Sequence, residues 1–184
     1  MTKKVLVPIA AGTEEIEAVC IIDVLRRAGA KVVVASVGEK EVTCSRGVQI
    51  VADKLIGDCN SESFDMIALP GGVPGAQNLR DSADLTELLK KQAGAGGFFG
   101  AICASPAVVL QAHGLLKHRR ATSHPGFADQ LEPNDSIESR VVVDGNCITS
   151  RGPGTALEFA LTLVELLYGK EKAREVGEPM VLPG

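Results

Sequence analysis

Gly97-Phe-Phe-Gly100-Ala-Ile-Cys103-Ala-Ser-Pro106-Ala-Val-Val109 is the stretch that decides the fold. Its first six residues are apolar without alternation, the pattern of a strand buried on both faces. Pro106 suits the first turn of a helix, because that turn leaves the missing N–H unpaired in any case. The stretch therefore reads as a buried strand, Gly97–Ile102, a sharp turn at Cys103, and a helix over Ala104–Ala112. Strand-then-helix units of this kind build parallel sheets covered by helices.

The same alternation continues on both sides. Strand-like β-branched runs fall at Val5–Ala10, Lys31–Ser36, Met66–Leu69, Arg140–Val143 and Cys147–Thr149. Helical patterns fall at Glu14–Ala28, Asp84–Ala93, Thr155–Tyr168 and Glu171–Val176. The predicted fold class is α/β, in three layers, with a mostly parallel sheet. The 184 residues contain no linker, repeat or low-complexity tract, so one domain spanning 1–184 is expected.

Composition narrows the function. Aromatic residues make up 3% of the chain and there is no Trp, which removes stacking platforms for bases. The 19 Lys and Arg against 23 Asp and Glu leave a net charge of −4, so neither nucleic acid nor an anionic membrane is an expected partner. The five cysteines include no Cys-x-x-Cys pair and the three histidines have no zinc-type spacing. No metal and no cofactor are expected, and free thiols fit a reducing, cytoplasmic setting. Gln92–Leu116 carries no Asp, Glu, Lys or Arg, but its glycines, Ser105-Pro106, Gln111 and His113 divide it into shorter elements. It is not read as a membrane span.

The first long helix has an unusual demand. From Ala18 to Leu25 only Asp23 interrupts the apolar run, so two of its sides call for burial and a sheet covers one. A homodimer formed through this helix is predicted. The plainer alternative is cover by a neighbouring loop.

Candidate chemistry gathers at predicted strand ends. Cys103, at a strand-to-helix turn, would stand above the carboxyl edge of the sheet, where free N–H groups favour a thiolate of lowered pKa. The competing reading is a small core residue. Met66-Ile-Ala-Leu-Pro-Gly71-Gly72 is a strand followed by a glycine turn, and the N–H groups of Gly72 and Ala104 are candidate oxyanion donors. In Ala11-Gly-Thr-Glu-Glu-Ile-Glu17, Thr13 or Gly12 could cap the helix and Glu14 and Glu15 suit its dipole. Glu17 instead precedes a run that should be buried, where a carboxyl stays protonated near neutral pH and can bond a thiolate. His124 sits in a loop restricted by Pro125, while His113 and His118 read as structural. Arg46 and Arg151 sit in turns, where either binds an anion or simply faces water.

Together, Gly-Thr-Glu-Glu-Ile-Glu17, Leu-Pro-Gly-Gly72, Ala-Ile-Cys103-Ala, Ser-His124-Pro and Ser-Arg151-Gly-Pro-Gly-Thr resemble the ThiJ/PfpI superfamily. Within it the chain is similar to the DJ-one branch, the Parkinsonism-associated deglycase and its bacterial and protist relatives. The resemblance implies a flavodoxin-like sandwich and a homodimer. It implies that Cys103 is the reactive cysteine, Glu17 its protonated partner and His124 the nearby histidine, with Gly72 and Ala104 as backbone donors. Arg46 and Arg151 match residues lining or flanking an anion-accepting pocket. Two positions depart: Ser105 stands where relatives often carry Gly or Ala, and Val51 where some members carry a further oxidisable cysteine.

The activity so implied is a cysteine-dependent, cofactor-independent glyoxalase or protein deglycase acting on methylglyoxal-type dicarbonyls or glycated protein. A redox sensor or redox-regulated chaperone working through oxidation of Cys103 is the alternative. An intracellular cysteine peptidase ranks below both, as no acid is evidently placed to orient His124.

Overall fold

Apolar runs of four to seven residues supply the central strands of the computed structural model, which describes residues 2–182. β1 (Lys4–Ala10), β2 (Lys31–Val37), β6 (Met66–Leu69), β7 (Phe98–Ile102) and β9 (Cys147–Ser150) run parallel. The two-residue β5 (Lys54–Leu55) pairs in parallel at one edge and β8 (Val141–Asp144) antiparallel at the other. The order across the sheet is β5-β2-β1-β6-β7-β9-β8. A separate antiparallel pair, β3 (Glu41–Thr43) with β4 (Gln49–Val51), forms a hairpin outside the sheet. The three-layer, flavodoxin-like α/β reading holds.

Alternation along β1 divides the core. Val5, Val7 and Ile9 face α1 (Glu15–Arg27) and α4 (Ala156–Tyr168), joining Ile21, Leu25, Phe159 and Leu163. Leu6 and Ala10 face the other layer, with Leu79 of α2 (Gly75–Arg80), Leu85 and Leu89 of α3 (Ala83–Gly94), and Phe99. A period of two along a strand sends neighbours to opposite faces, so each layer gets its own apolar cluster. The tail helix α5 (Lys170–Gly177) follows α4.

Several local expectations need correction. The helix expected over Ala104–Ala112 is a π-helical segment, Pro106–Gln111, and past its end the Leu115 N–H donates back to the Leu110 carbonyl at 2.9 Å. The cap of α1 is neither Thr13 nor Gly12. Glu14 takes that place, its Oε2 accepting from the Glu17 N–H at 2.8 Å. Thr13 is used elsewhere, accepting from the Ala10 N–H at 2.9 Å. The β3–β4 hairpin, β5 and α2 are additional to the predicted elements.

One side of α1 is packed, with Ala18, Ile21, Val24 and Leu25 fully buried. On the other side Ile16 is 54% and Val19 49% exposed, and in the hairpin Val48 and Val51 are 49% and 70% exposed. No neighbouring loop of the described residues covers this face. No helix among the described residues is long and apolar enough to cross a membrane.

Because β1, β6 and β7 are neighbours running the same way, the loops that follow them meet at one edge. These are the loops carrying Gly12–Glu14, Pro70–Pro74 and Cys103–Ser105. Open α/β sheets bind ligands at this carboxyl edge.

Candidate active site

Cys103 has φ of 66°, in the left-handed region that a side chain ordinarily avoids. The turn is tied at both ends. Its N–H donates to the Ser150 carbonyl at 3.1 Å, and its carbonyl accepts from the His124 N–H at 2.8 Å. Ser105, fully buried, donates through Oγ to the Pro70 carbonyl at 2.6 Å and joins this turn to the next loop. Its hydroxyl is thus spent on backbone rather than on the thiol.

Two glycines let the three loops touch through their backbones. A Cβ on Gly71 would lie 2.6 Å from the Cys103 Cβ, and one on Gly72, whose φ is +95°, would lie 2.5 Å from the Glu14 nitrogen. The Glu14 N–H donates to the Gly71 carbonyl at 2.9 Å, so the α1 entrance and the β6 loop are one unit.

Glu17 is fully buried. Its Oε2 accepts from the Gly71 N–H at 2.8 Å, while Oε1 has no nitrogen or oxygen partner. Burial pushes this carboxyl up to about 7, against the hydrogen bonds from Gly71 and the Cys103 thiol that pull it down. The thiol does not behave as the strand-to-helix turn suggests. Burial, then the charge and hydrogen bond of Glu17, push Cys103 up to about 12, and the N–H groups of Gly72 and Ala104 only partly offset this. The expected lowering of the thiol pKa is therefore overturned. Helix-terminal N–H groups are present, but burial and the carboxylate beside the sulfur outweigh them. Two adjacent negative charges are unfavourable, so the pair carries at most one, on Glu17 with a neutral thiol or on sulfur with a protonated Glu17.

A cavity of about 280 Å³ opens over the sulfur, with Arg46, Gly72, Ala104, His124 and Phe127 among its walls. Exposed His124 accepts the Gly126 N–H at Nδ1 (3.1 Å), which places the proton of the neutral ring on Nε2, free to donate. No hydrogen bond joins this ring to a carboxylate among the described residues. Arg46 is exposed, and among the described residues its guanidinium pairs with no acid. Arg151 does not line the cavity; its Nη1 donates to the Glu138 carbonyl at 3.2 Å. His113 is structural, its Nε2 meeting the Arg80 carbonyl at 2.9 Å and Thr86 Oγ1 at 3.1 Å. No group of three His, Cys, Asp or Glu among the described residues could hold a metal ion. A larger cavity, about 440 Å³, lies at the opposite, amino-terminal end of β6 and β7 near Lys3, Gln92 and Phe98, remote from these groups.

Glu15 is the residue that sequence reasoning placed too simply. Beyond its position in the first turn of α1, its buried carboxylate accepts from Ser45 Oγ (2.7 Å), Arg46 N–H (2.7 Å) and Val48 N–H (3.4 Å). Partners thirty residues away leave no local signal in the sequence.

Residues 3–166 match the model of the DJ-1/PfpI family. The chain is 53% identical over 178 residues to Protein DJ-1 homolog B of Arabidopsis thaliana, covering 96% of this chain and 41% of that protein. It thus spans about two-fifths of that relative's length. The glutathione-independent glyoxalase DJR-1.2 of Caenorhabditis elegans is 42% identical over 171 residues, 92% of this chain and 90% of the relative. A solved structure of oxidized DJ-1 from Toxoplasma gondii superposes with a TM-score of 0.96 at 53% identity, covering 100% of both chains. With the cysteine turn, the buried glutamate and the glycine loop in one carboxyl-edge cluster and a family match across most of its length, the chain belongs to the DJ-1/PfpI family.

Proposed function

We propose that the chain is a cysteine-dependent, cofactor-independent enzyme that converts methylglyoxal-type dicarbonyls to 2-hydroxy acids. The observation that carries the reading is the buried Glu17 carboxyl set against Cys103 beneath an open cavity. The kinship with a relative named as a glutathione-independent glyoxalase supports it.

With the thiol neutral and Glu17 ionised, attack begins with proton transfer. Glu17 takes the thiol proton as sulfur adds to the aldehyde carbon, and the new oxyanion meets the N–H groups of Gly72 and Ala104. Return of that proton to oxygen gives a hemithioacetal and restores the carboxylate. Glu17 then removes the hydrogen on the former aldehyde carbon, forming an enediolate, and delivers it to the adjacent carbon, while the hydroxyl proton on the first carbon passes to the oxygen of the second. The product is a thioester of the 2-hydroxy acid. Water cleaves it, releasing lactate and the free thiol, so methylglyoxal plus water gives lactic acid with no net redox change. His124 Nε2–H polarises the second carbonyl. A group whose pKa lies near 7 suits repeated uptake and release of a proton at neutral pH.

The test is lactate formation from methylglyoxal without glutathione. Wild type is expected to turn over and Cys103→Ala and Glu17→Gln to lose it by at least about a hundredfold; full activity in either variant would end this reading.

A second reading draws on Gly72 and Ala104, whose N–H groups beside the sulfur would also hold the oxygens of an oxidised Cys103. The relative solved as oxidized DJ-1 favours it. Intact mass after mild peroxide treatment, expected to rise by two oxygens at Cys103, checks it.

The exposed apolar face of α1 and the hairpin is assigned to a second copy of the chain. Cytoplasmic residence and glycated protein as a further substrate belong to the same proposal.

A further inference from the structure

The hairpin tip that walls the cavity is held from below. Ser45, Arg46 and Val48 all donate to the Glu15 carboxylate, and the turn is pinned again by the Ser45 N–H on the Thr13 carbonyl (2.8 Å) and the Gly12 N–H on the Thr43 carbonyl (2.9 Å). Glu15 is 7% exposed and pairs with no cation among the described residues. A buried carboxylate with three donors from one turn is a geometric device, since its lone pairs fix where those donors stand. From this we infer that Glu15 is a positioning residue, its carboxylate holding the Ser45–Val48 turn so that the Arg46 guanidinium stands at the mouth of the Cys103 cavity and favours anionic reagents there.

Burial disfavours ionisation of Glu15, but the bonds from Ser45, Arg46 and Val48 prevail and keep it below the ordinary carboxylate value, so it carries a full charge at neutral pH. That charge makes the inference sharp. Were Glu15 simply a negative charge near the pocket, removing it would speed anionic reagents. As a positioning residue, its loss releases Arg46 and slows them.

The inference builds on the Cys103 cavity being the substrate pocket, but its test needs no turnover, so its failure and that of the dicarbonyl reading are separable. The experiment compares Cys103 alkylation by iodoacetate with alkylation by neutral iodoacetamide, at one pH and low salt, with modification followed by mass. The ratio of the two rates reports the cation at the mouth. In Arg46→Ala it is expected to fall about threefold or more. Glu15→Ala and Glu15→Asp are expected to fall similarly, the second with the charge kept and the reach shortened by one methylene. Glu15→Gln is expected to stay within about twofold of wild type. Its amide oxygen still accepts from Arg46 and Val48, and Ser45 can turn its hydroxyl to accept the amide N–H. A ratio that is unchanged or raised in both Glu15→Ala and Glu15→Asp overturns the inference, as does an unchanged ratio in Arg46→Ala. Glu15→Asp covers the case in which the Ala variant does not fold.

Discussion

Replacing Glu17 by Gln should make the protein more stable above neutral pH while removing turnover. Glu17 is fully buried and its carboxyl rises from an ordinary 4.5 to about 7 in the folded chain. A raised carboxyl binds its proton in the native state while the unfolded chain has already released it. Stability therefore falls as pH climbs from about 4.5 to 7, and levels off above that. At about 1.4 kcal/mol per pH unit, the whole window amounts to about 3 kcal/mol. Gln keeps the acceptor for the Gly71 N–H and carries no charge, so that loss is absent from the variant. The assay is urea unfolding of both proteins at half-unit steps from pH 4.5 to 8.5, at fixed concentration because the proposed dimer couples to stability. The other carboxylates titrate alike in both and cancel. The difference is expected near zero at the acid end, to grow through pH 7, and to settle at about 2–3 kcal/mol in favour of Gln. A difference that stays within about 0.5 kcal/mol across the range would show that Glu17 ionises like an exposed acid, and the proton-shuttle argument would go with it.

Four further outcomes follow from the same geometry. The rate of Cys103 alkylation by iodoacetamide is expected to climb without a plateau from pH 7 to 10 in wild type, since burial and Glu17 hold the thiol up to about 12. In Glu17→Gln the rate at pH 8 is expected to rise, and an unchanged profile would deny the carboxylate its part. Ser105→Ala leaves the Pro70 carbonyl without its buried donor and is expected to cost about 1–3 kcal/mol by denaturant unfolding. Gly71→Ala drives a Cβ to 2.6 Å from that of Cys103 and is expected to cost at least about 2 kcal/mol and slow alkylation; wild-type stability would contradict the loop packing. Val51→Glu, placed at 70% exposure on the apolar face, is expected to shift the sedimenting species to monomer at micromolar concentration without changing the fold.

Those elements whose cause lies within a few neighbouring residues were readable in the sequence. Runs such as Lys31–Val37 and Met66–Leu69 announce buried parallel strands by composition alone, and Pro106 marks the end of the Cys103 turn. The β3–β4 hairpin gave no such signal, being two three-residue strands with burial patterns that are mostly exposed. The α2 helix is hidden by Pro70-Gly-Gly and Pro74-Gly, which read as loop. At the site, residue identities and the raised Glu17 carboxyl were legible, and the state of the thiol was not. The helix-terminal N–H groups beside Cys103 are local and predicted a lowered thiol pKa. The opposing carboxylate arrives from 86 positions earlier in the chain, and only the packing of β1, β6 and β7 brings it there. Glu15 shows the same division: the turn at Arg46 was legible, but not that a carboxylate thirty residues earlier accepts from it.

The left-handed backbone at Cys103 also bears on how this position can evolve. A side chain at φ of 66° costs about 1–2 kcal/mol relative to glycine, and asparagine tolerates it better than most residues. A lineage drifting under selection for thermal stability alone would be expected to exchange this cysteine for glycine, keeping the turn and relaxing its backbone. The fold thus offers no reason of its own for a thiol here, and the β-carbon at position 103 is a trace of selection for chemistry against the preference of the main chain.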